Sequence, residues 1–175
     1  MAQPLKYNTI EVLKQWLHFP NYKVVYSSEE EEVSARQINS KIEGKSDITI
    51  VITTTDGNVF GSYHQNPIKK KPLKFYDRHI QRGGYFLFTI TNPYNIPPTR
   101  FVTKNMDDYL VLYSDDNPNS LISMCYVYDL KLNGSTINTD FPFYYNTEYP
   151  STIFTGSVIP TTFNFENIII LQWYL

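Results

Sequence analysis

The sequence has little of several features that would narrow its function. It contains one cysteine, Cys125, in 175 residues, which excludes an intrachain disulfide and a zinc site built on several cysteines. The formal net charge is −2, so there is no general positive field, and we expect no nucleic-acid partner. No apolar run approaches the roughly 18 residues that a membrane-spanning helix needs, and the first residues lack a signal-peptide pattern. These absences predict a cytoplasmic protein without a membrane span.

Aromatic residues are abundant. They make up 16% of the chain, with 15 tyrosines and 11 phenylalanines, and residues that favour helices are sparse, so the composition favours β structure. The run "YKVVYSS" (22–28) is predicted to be a buried strand. The run "YFLFTIT" (85–91) is apolar on both faces and is predicted to be a central strand. Together with turn signals, the apolar runs predict strands at residues 22–28, 48–52, 58–63, 85–91, 99–103, 109–114, 121–128, 141–145 and 163–175.

Two short helices are predicted near the start of the chain. Asn8 is a candidate cap for a helix over residues 9–18, and Ser34 for a helix over residues 34–42, which Gly44 would end. No βαβ alternation is visible. The expected fold is therefore mainly β (α+β), an antiparallel two-sheet β-sandwich with two short N-terminal helices.

The length of the chain suits one domain. We expect residues 1–21 to form an N-terminal helical segment that packs on a single globular unit of residues 22–175. The segment "QNPIKKKPLKFYDRHIQRGG" (65–84) is polar and is interrupted by Pro67 and Pro72. It is predicted to be a long surface loop.

The stretch "TTTDGNVFGSYHQNP" (53–67) predicts a structural hairpin. Asp56-Gly57 is a dipeptide that favours a tight two-residue turn, since it tolerates positive φ. Val59 and Phe60 would then lie on opposite faces of the return strand. Gly61 would allow a neighbouring backbone or aromatic ring to approach closely.

The segment "EGKSD" (43–47) contains Gly-Lys-Ser but does not fit a phosphate-binding loop. That motif needs a glycine five residues before Gly44, where Asn39 stands, and a preceding strand, whereas a helix is predicted there. We expect no nucleotide cofactor.

The histidines and the cysteine offer no catalytic or metal-binding spacing. His18, His64 and His79 are far apart in sequence, so ordinary surface or core roles are favoured and no metal is expected. Cys125 could act as an activated thiol beside a histidine, but it lies in the strand-like run "SMCYVYDL", where a buried cysteine behaves as a small hydrophobe. It is kept as the one candidate catalytic residue.

Two segments concentrate charge and are candidate partner-binding surfaces. Each also fits a solvated loop, but local charge can steer docking onto an acidic protein or lipid surface. The segment 104–120, rich in Asn, Asp and Pro, is a third candidate. The basic candidates are Lys69, Lys70, Lys71, Lys74, Arg78 and Arg82, and the acidic ones are Glu29, Glu30, Glu31 and Glu32.

Several motifs together resemble the TLDc domain, a eukaryotic module associated with TBC and LysM domains. They are "YKVVYSS", "SARQINSKIEGK", "ITIVI", "DGNVFGSY" and "GGYFLFTITN", followed by a closing "IIILQWYL". Cys125 also falls where the family often has a cysteine. The residues that carry the resemblance as structural positions are Gly44, Asp56, Gly57, Phe60, Gly61, Gly83, Phe86, Phe88 and Trp173.

The chain departs from the family pattern at three places. It has Gly84 where the family usually has a glutamate before the Phe-rich strand, and Leu171 where the family has a glutamate near the final tryptophan. The glycine-rich segment of the second half is replaced by Asn, Asp and Pro clusters around 105–120. These departures imply that any role of the two glutamates is altered here.

The resemblance implies a non-enzymatic protein-interaction module. It implies a role in oxidative-stress resistance and binding to the vacuolar proton-pumping ATPase (V-ATPase), chiefly at its peripheral stalk, with recruitment to vacuolar or endosomal membranes through that partner. Two alternatives stay open at this point. One is a redox or peroxide-scavenging activity centred on Cys125, and the other is a carbohydrate- or small-ligand-binding sandwich that uses the tyrosines.

Overall fold

Two antiparallel six-stranded sheets form the body of the protein, as the sequence predicts. The computed structural model describes residues 7–71, 74–80, 83–104, 108–157 and 161–175. Sheet A contains β1 (Asn21–Ser27), β2 (Ile48–Thr54), β3 (Val59–His64), β5 (Tyr85–Thr91), β6 (Thr99–Phe101) and β12 (Phe165–Tyr174). Sheet B contains β4 (Tyr76–Ile80), β7 (Tyr109–Tyr113), β8 (Ser120–Met124), β9 (Tyr128–Lys131), β10 (Ser135–Ile137) and β11 (Thr162–Phe163).

The strand order leaves β4 at one edge of sheet B. Sheet A runs in the order β1-β12-β2-β3-β5-β6, and sheet B in the order β11-β10-β9-β8-β7-β4. The C-terminal strand β12 pairs with β1 on one side and β2 on the other, so it ties the two ends of the chain together. The prediction of a mainly antiparallel sandwich is confirmed.

The two predicted helices form with the caps that the sequence indicates. In α1 (Thr9–Leu17) the Asn8 side chain accepts hydrogen bonds from the amides of Ile10 and Glu11. In α2 (Ala35–Ile42) the Ser34 hydroxyl accepts one from the amide of Gln37. These bonds satisfy amides that have no partner within the helix. A short α3 (Phe141–Tyr144) and a 3₁₀ turn (Ser151–Ile153) follow later.

The hairpin of β2 and β3 forms at Asp56-Gly57, but its loop has three residues, and the prediction of a two-residue turn is wrong. The Thr54 amide donates to the Asn58 carbonyl at 2.9 Å, and the Gly57 amide donates to the Thr54 carbonyl at 2.9 Å. Gly57 alone of the turn pair has positive φ, at 83°. A three-residue loop with glycine at the left-handed position matches the twist of the flanking strands.

Gly61 is required by the close approach of β3 to its neighbours. A Cβ at this position would lie 1.9 Å from the Ile50 carbonyl oxygen and 2.9 Å from Cζ of Phe88. Its neighbours Phe60 and Val59 enter different apolar clusters, one on each face of sheet A. The glycine and the aromatic residues of this stretch therefore serve packing.

Two apolar clusters stabilise three layers. The larger lies between the sheets and includes Ile50, Phe60 and Leu87 of sheet A with Leu110 and Ile122 of sheet B; α2 contributes Ile38 and Ile42. The smaller lies between α1 and the outer face of sheet A, and it includes Leu13, Phe88 and Trp173. Burial of these side chains is the main stabilising term for such a fold.

Several predictions about local structure are wrong. Residues 65–84 contain β4, and Ile68 is only 2% exposed, because it enters the inter-sheet core while its backbone pairs with residues 44 and 45. The predicted strand 121–128 is broken by a turn at 125–127, and 141–145 is mostly helix α3, where Pro142 fits the first turn. The first half of β1 is exposed, because β1 is an edge strand.

Candidate protein-interaction site

Five of the six basic residues that are candidates for partner binding lie beside the free edge of sheet B. Lys69, Lys70 and Lys71 are exposed on the segment that leaves β3, while Lys74 and Arg78 are exposed on or just before β4. We call these five residues the basic segment. Arg82, the sixth candidate, lies outside the described residues.

One lysine of the basic segment is neutralised within the molecule. The Lys71 ammonium forms an ion pair with Asp115, whose other carboxylate oxygen accepts a hydrogen bond from Asn39 at 3.1 Å. Partial burial alone would raise the pKa of Asp115, but the hydrogen bonds from Lys71 and Asn39 outweigh it and lower that pKa. Lys71 therefore has a structural partner, and its charge is the least available to another molecule.

The free edge of β4 is closed by side chains. The Lys69 ammonium donates to the Arg78 carbonyl at 3.2 Å, and the Arg78 amide donates to Oδ1 of Asp77 at 2.7 Å. On the other side of the strand, Tyr76 pairs with Tyr113 of β7, and the Phe75 carbonyl accepts from the amide of Ser114, just after β7. Because side chains occupy these edge groups of Arg78, addition of another strand at this point is blocked.

Two aromatic residues stand exposed among these cations. Phe75 is 79% exposed and has a left-handed backbone with φ of 54°, and Tyr76 is 53% exposed. The Tyr76 ring lies 6.5 Å from the Tyr113 ring, and the Arg78 guanidinium lies 4.7 Å from the centre of the Tyr109 ring. At this edge, the outer face of sheet B therefore has the positive charge of Arg78 next to the rings of Tyr76, Tyr109 and Tyr113.

Sequence reasoning identified the cations of this site but missed Phe75 and Tyr76. The available signal was the run "FYDRHI" directly after the lysines, which contains two aromatic residues and an isoleucine, all frequent in strands, and no proline or glycine. The interpretation of residues 65–84 as a loop concealed it.

The acidic candidates lie in the turn between β1 and α2, and one of the four has an internal role. Glu31 accepts hydrogen bonds from Lys41, at 2.7 Å, and from Gln37, which together lower its pKa. Glu29, Glu30 and Glu32 are exposed. The turn is therefore anchored to α2 by Glu31 and presents three further carboxylates to solvent.

The third candidate segment, 104–120, is largely built into the sandwich. It contains β7, and Asp108 at its start is buried, where one carboxylate oxygen accepts from the hydroxyls of Tyr85 and Thr103, both at 2.7 Å. Asp115 near its end holds Lys71. Residues 105–107 lie outside the described residues.

Cys125 lies in the turn after β8, half-buried, with its amide donating to the Tyr109 carbonyl at 3.0 Å. Burial raises the pKa of its thiol, and the charge of Asp108 adds to the increase. A hydrogen bond with this thiol, together with burial, raises the pKa of Tyr109 to about 12. Both groups are therefore neutral near pH 7, which disfavours a thiolate nucleophile.

The histidines lie in three separate environments. His18 ends α1 with φ of 59° and is exposed, whereas His79 faces inward from β4, where burial and the charge of Lys69 lower its pKa. His64 is fully buried in sheet A. Among the described residues, no group of three or more His, Cys, Asp or Glu side chains is placed to hold a metal ion.

A buried polar cluster that sequence reasoning missed joins the two sheets. The Ser62 hydroxyl lies 2.7 Å from Nε2 of His64 and 2.7 Å from the Tyr128 hydroxyl of sheet B. Ser62 and His64 are both 0% exposed. A serine and histidine at this distance can activate a nucleophile in an open site, but here no substrate can reach them, and the cluster satisfies polar groups within the core.

The family model of the TLDc domain matches residues 3–168. The chain belongs to the TLDc family. TLDc domains are protein-interaction modules, generally non-enzymatic, and the family is linked to oxidative-stress resistance. No curated protein matches the chain.

The two positions at which the resemblance to the TLDc pattern predicts a glutamate lie in different surroundings. Leu171 is 1% exposed and belongs to the apolar cluster beneath α1, so this position contributes to packing and not to a charged surface. At Gly84 a Cβ would lie 3.0 Å from Nδ2 of Asn66, and the Gly84 carbonyl accepts from the Gln65 amide at 2.7 Å.

None of the helices that the structure describes has the length and apolar character of a membrane span.

Proposed function

We propose that this TLDc protein is a non-enzymatic module that binds the V-ATPase at its peripheral stalk and thereby contributes to oxidative-stress resistance. It would act in the cytoplasm and reach vacuolar or endosomal membranes through that partner. Membership of the TLDc family supports the proposal. The surface that would make the contact is the basic segment together with the adjoining outer face of sheet B.

The observation that carries the proposal is a set of cations without acidic partners. Lys70, Lys74 and Arg78 form no ion pair among the described residues, although the chain as a whole has a net charge of −2. Arg78 contacts the Tyr109 ring, but a charge that has no acidic partner remains available to an acidic protein surface. Such charges mainly increase the association rate and the specificity of a complex.

The placement of the reactive groups supports a module without chemistry. Ser62 and His64 are enclosed in the core, and the pKa of the Cys125 thiol is raised by burial. An enzyme needs such groups in a cleft that a substrate can enter. The redox alternative centred on Cys125 gains no support from this geometry.

The test is charge reversal of Lys70 and Lys74, the two lysines of the basic segment with no hydrogen bond or ion pair within the part of the chain that the structure describes. Lys70→Glu combined with Lys74→Glu is preferable to reversal of Lys69 or Lys71, because those two side chains bind Arg78 and Asp115 within the fold. Binding to purified V-ATPase peripheral stalk, measured by biolayer interferometry, should weaken by about tenfold or more, and raised salt should reduce the wild-type affinity.

The matched control is Lys23→Glu, an exposed lysine on β1 at the edge of sheet A. It changes the net charge in the same direction and should leave binding almost unchanged. If the wild-type protein does not bind the stalk, the V-ATPase assignment is wrong. If it binds but the double reversal has no more effect than Lys23→Glu, the basic segment is not the contact.

A further inference from the structure

We infer that the same surface recognises an extended acidic protein segment that carries an apolar side chain, and that Phe75 is its anchor. This inference rests on the proposed function and specifies the chemistry of the partner. Binding would then require, besides charge, a contact between Phe75 and an apolar side chain of the partner.

The backbone of Phe75 is the first observation. Its φ of 54° lies in the left-handed region, which favours glycine or asparagine and is unusual for a bulky aromatic residue. The conformation is held by a hydrogen bond of 2.8 Å from the Ser114 amide to the Phe75 carbonyl. Asparagine would suit this position better than phenylalanine if only the fold mattered.

The exposure of Phe75 is the second observation. At 79% exposed, the ring gains almost nothing from burial in the sandwich, so packing does not explain an aromatic residue here. A residue that the fold neither needs nor favours is a candidate for binding. Aromatic side chains surrounded by polar groups are typical centres of protein interfaces.

The surroundings define the occupant. Lys74 directly precedes Phe75 in the chain, Arg78 follows it on β4, and both are exposed, so the partner must bring negative charge close to an apolar group. Tyr76 and Tyr113, with ring centres 6.5 Å apart, extend the aromatic surface across the face of sheet B. Because Lys69 and Asp77 occupy the edge groups of Arg78, the segment should bind through side chains across this face and not as an added strand.

An acidic protein segment fits this surface better than an anionic lipid layer does. Carboxylates lie close to the cations: Asp77 is exposed beside Arg78 on β4, Asp115 lies against Lys71, and the next residue, Asp116, is exposed. A uniformly anionic bilayer would be repelled by these groups, whereas the side chains of a peptide can avoid them. We therefore commit to a protein partner.

The experiment uses two fluorescein-labelled peptides of Asp and Glu, one with a central tryptophan and the other with alanine in its place. In fluorescence anisotropy, the wild-type protein should bind the tryptophan peptide about tenfold more tightly than the alanine peptide. Phe75→Asn should bring the two affinities within about twofold of each other, while thermal unfolding shows no loss of stability. Lys70→Glu with Lys74→Glu should weaken both peptides.

The matched control is Phe143→Asn, because Phe143 on α3 is also exposed, at 76%, but lies outside the basic segment. It should preserve the preference for tryptophan. The inference is overturned if the wild-type protein binds neither peptide, if Phe75→Asn keeps the preference, or if vesicles of phosphatidylserine and phosphatidylcholine bind as tightly as the tryptophan peptide.

The result separates this inference from the proposed function. If the peripheral stalk binds and lysine reversal weakens it while Phe75→Asn does not, the proposed function stands and the aromatic anchor fails. If both peptides behave as expected but the stalk does not bind, the acidic partner is another protein.

Discussion

The outer faces of the two sheets are used differently. On sheet A, α1 covers the outer face and buries Leu13, Phe88 and Trp173 in an apolar cluster. On sheet B, Tyr76 and Arg78 remain exposed at the β4 edge. The outer face of sheet A therefore contributes to stability, whereas the outer face of sheet B leaves Tyr76 and Arg78 accessible to a partner.

This difference shows where sequence change should be tolerated. Substitutions beneath α1 remove buried apolar surface or close contacts, and their cost should appear in the free energy of unfolding. Substitutions on the open face of sheet B should leave that free energy almost unchanged and alter binding. The two readouts can therefore be separated by experiment.

The largest effect is expected for Gly61→Ala in sheet A. The new Cβ would lie 1.9 Å from the Ile50 carbonyl oxygen, and a central strand cannot move without disrupting its pairing with both neighbours. We expect a loss of about 3 kcal/mol or more in the free energy of unfolding, measured by urea denaturation.

Gly84→Ala is the matched control, since its nearest contact is the end of the Asn66 side chain at 3.0 Å. Its other close contact is with Cβ of Gln65 at 3.2 Å. Both contacts are with side-chain atoms, not with backbone as at Gly61, so a loss below about 1 kcal/mol is expected. If the two variants were equally stable, the close approach of β2 and β3 at Gly61 would not be a constraint on this fold.

A second prediction compares an aromatic residue that packs on the outer face of sheet A with an exposed one beside the β4 edge of sheet B. Trp16 on α1 packs against Phe86, with ring centres 6.1 Å apart, and the Arg100 guanidinium lies 5.6 Å from the centre of its ring. Trp16→Ala should lower the free energy of unfolding by about 2–3 kcal/mol in urea denaturation, because the contacts of this ring with Phe86 and Phe88 of sheet A are lost.

The companion variant is Phe75→Ala, just before β4, which should change that free energy by less than about 0.5 kcal/mol because the ring is exposed. Binding to the acidic tryptophan peptide should show the opposite order, with Trp16→Ala near wild type and Phe75→Ala weakened. A large loss of stability in Phe75→Ala would mean that sheet B also depends on its exposed aromatic residues.

The local parts of this fold could be predicted from the sequence. The caps at Asn8 and Ser34, the turn at Gly57 and the close approach at Gly61 each depend on the chemistry of a few neighbouring residues. Such signals do not require knowledge of distant contacts. The family motifs extend the prediction to the sandwich as a whole.

The parts that could not be predicted depend on distant pairing. Strand β4 pairs with β7, whose residues come about thirty positions later, and prolines and lysines before it resemble a loop. Residues 141–145 have the aromatic composition of a strand but form helix α3, because β propensity depends strongly on context. The Phe75 carbonyl accepts from the Ser114 amide at the end of this pairing, so the place of Phe75 in the candidate site could not be predicted either.

The smallest effect is expected from the ion pair that anchors the basic segment to sheet B. The pKa of Asp115 is lowered in the folded protein from its ordinary value of 3.8. A carboxyl group whose pKa is lower in the folded state stabilises the protein above its unfolded pKa, and the contribution is lost as pH falls through the folded value. Asp115→Asn should therefore reduce stability near neutral pH by less than about 1 kcal/mol.

This difference between wild type and Asp115→Asn should shrink as the pH falls below about 4, measured by urea denaturation at a series of pH values. Asp116→Asn, at the exposed neighbouring position, should change stability less at every pH. Asp115→Asn also removes the acidic partner of Lys71, so binding of the acidic tryptophan peptide should strengthen about twofold. Weaker binding would show that Asp115 supports the site by holding Lys71 in position, and that the open face of sheet B depends on its internal contacts.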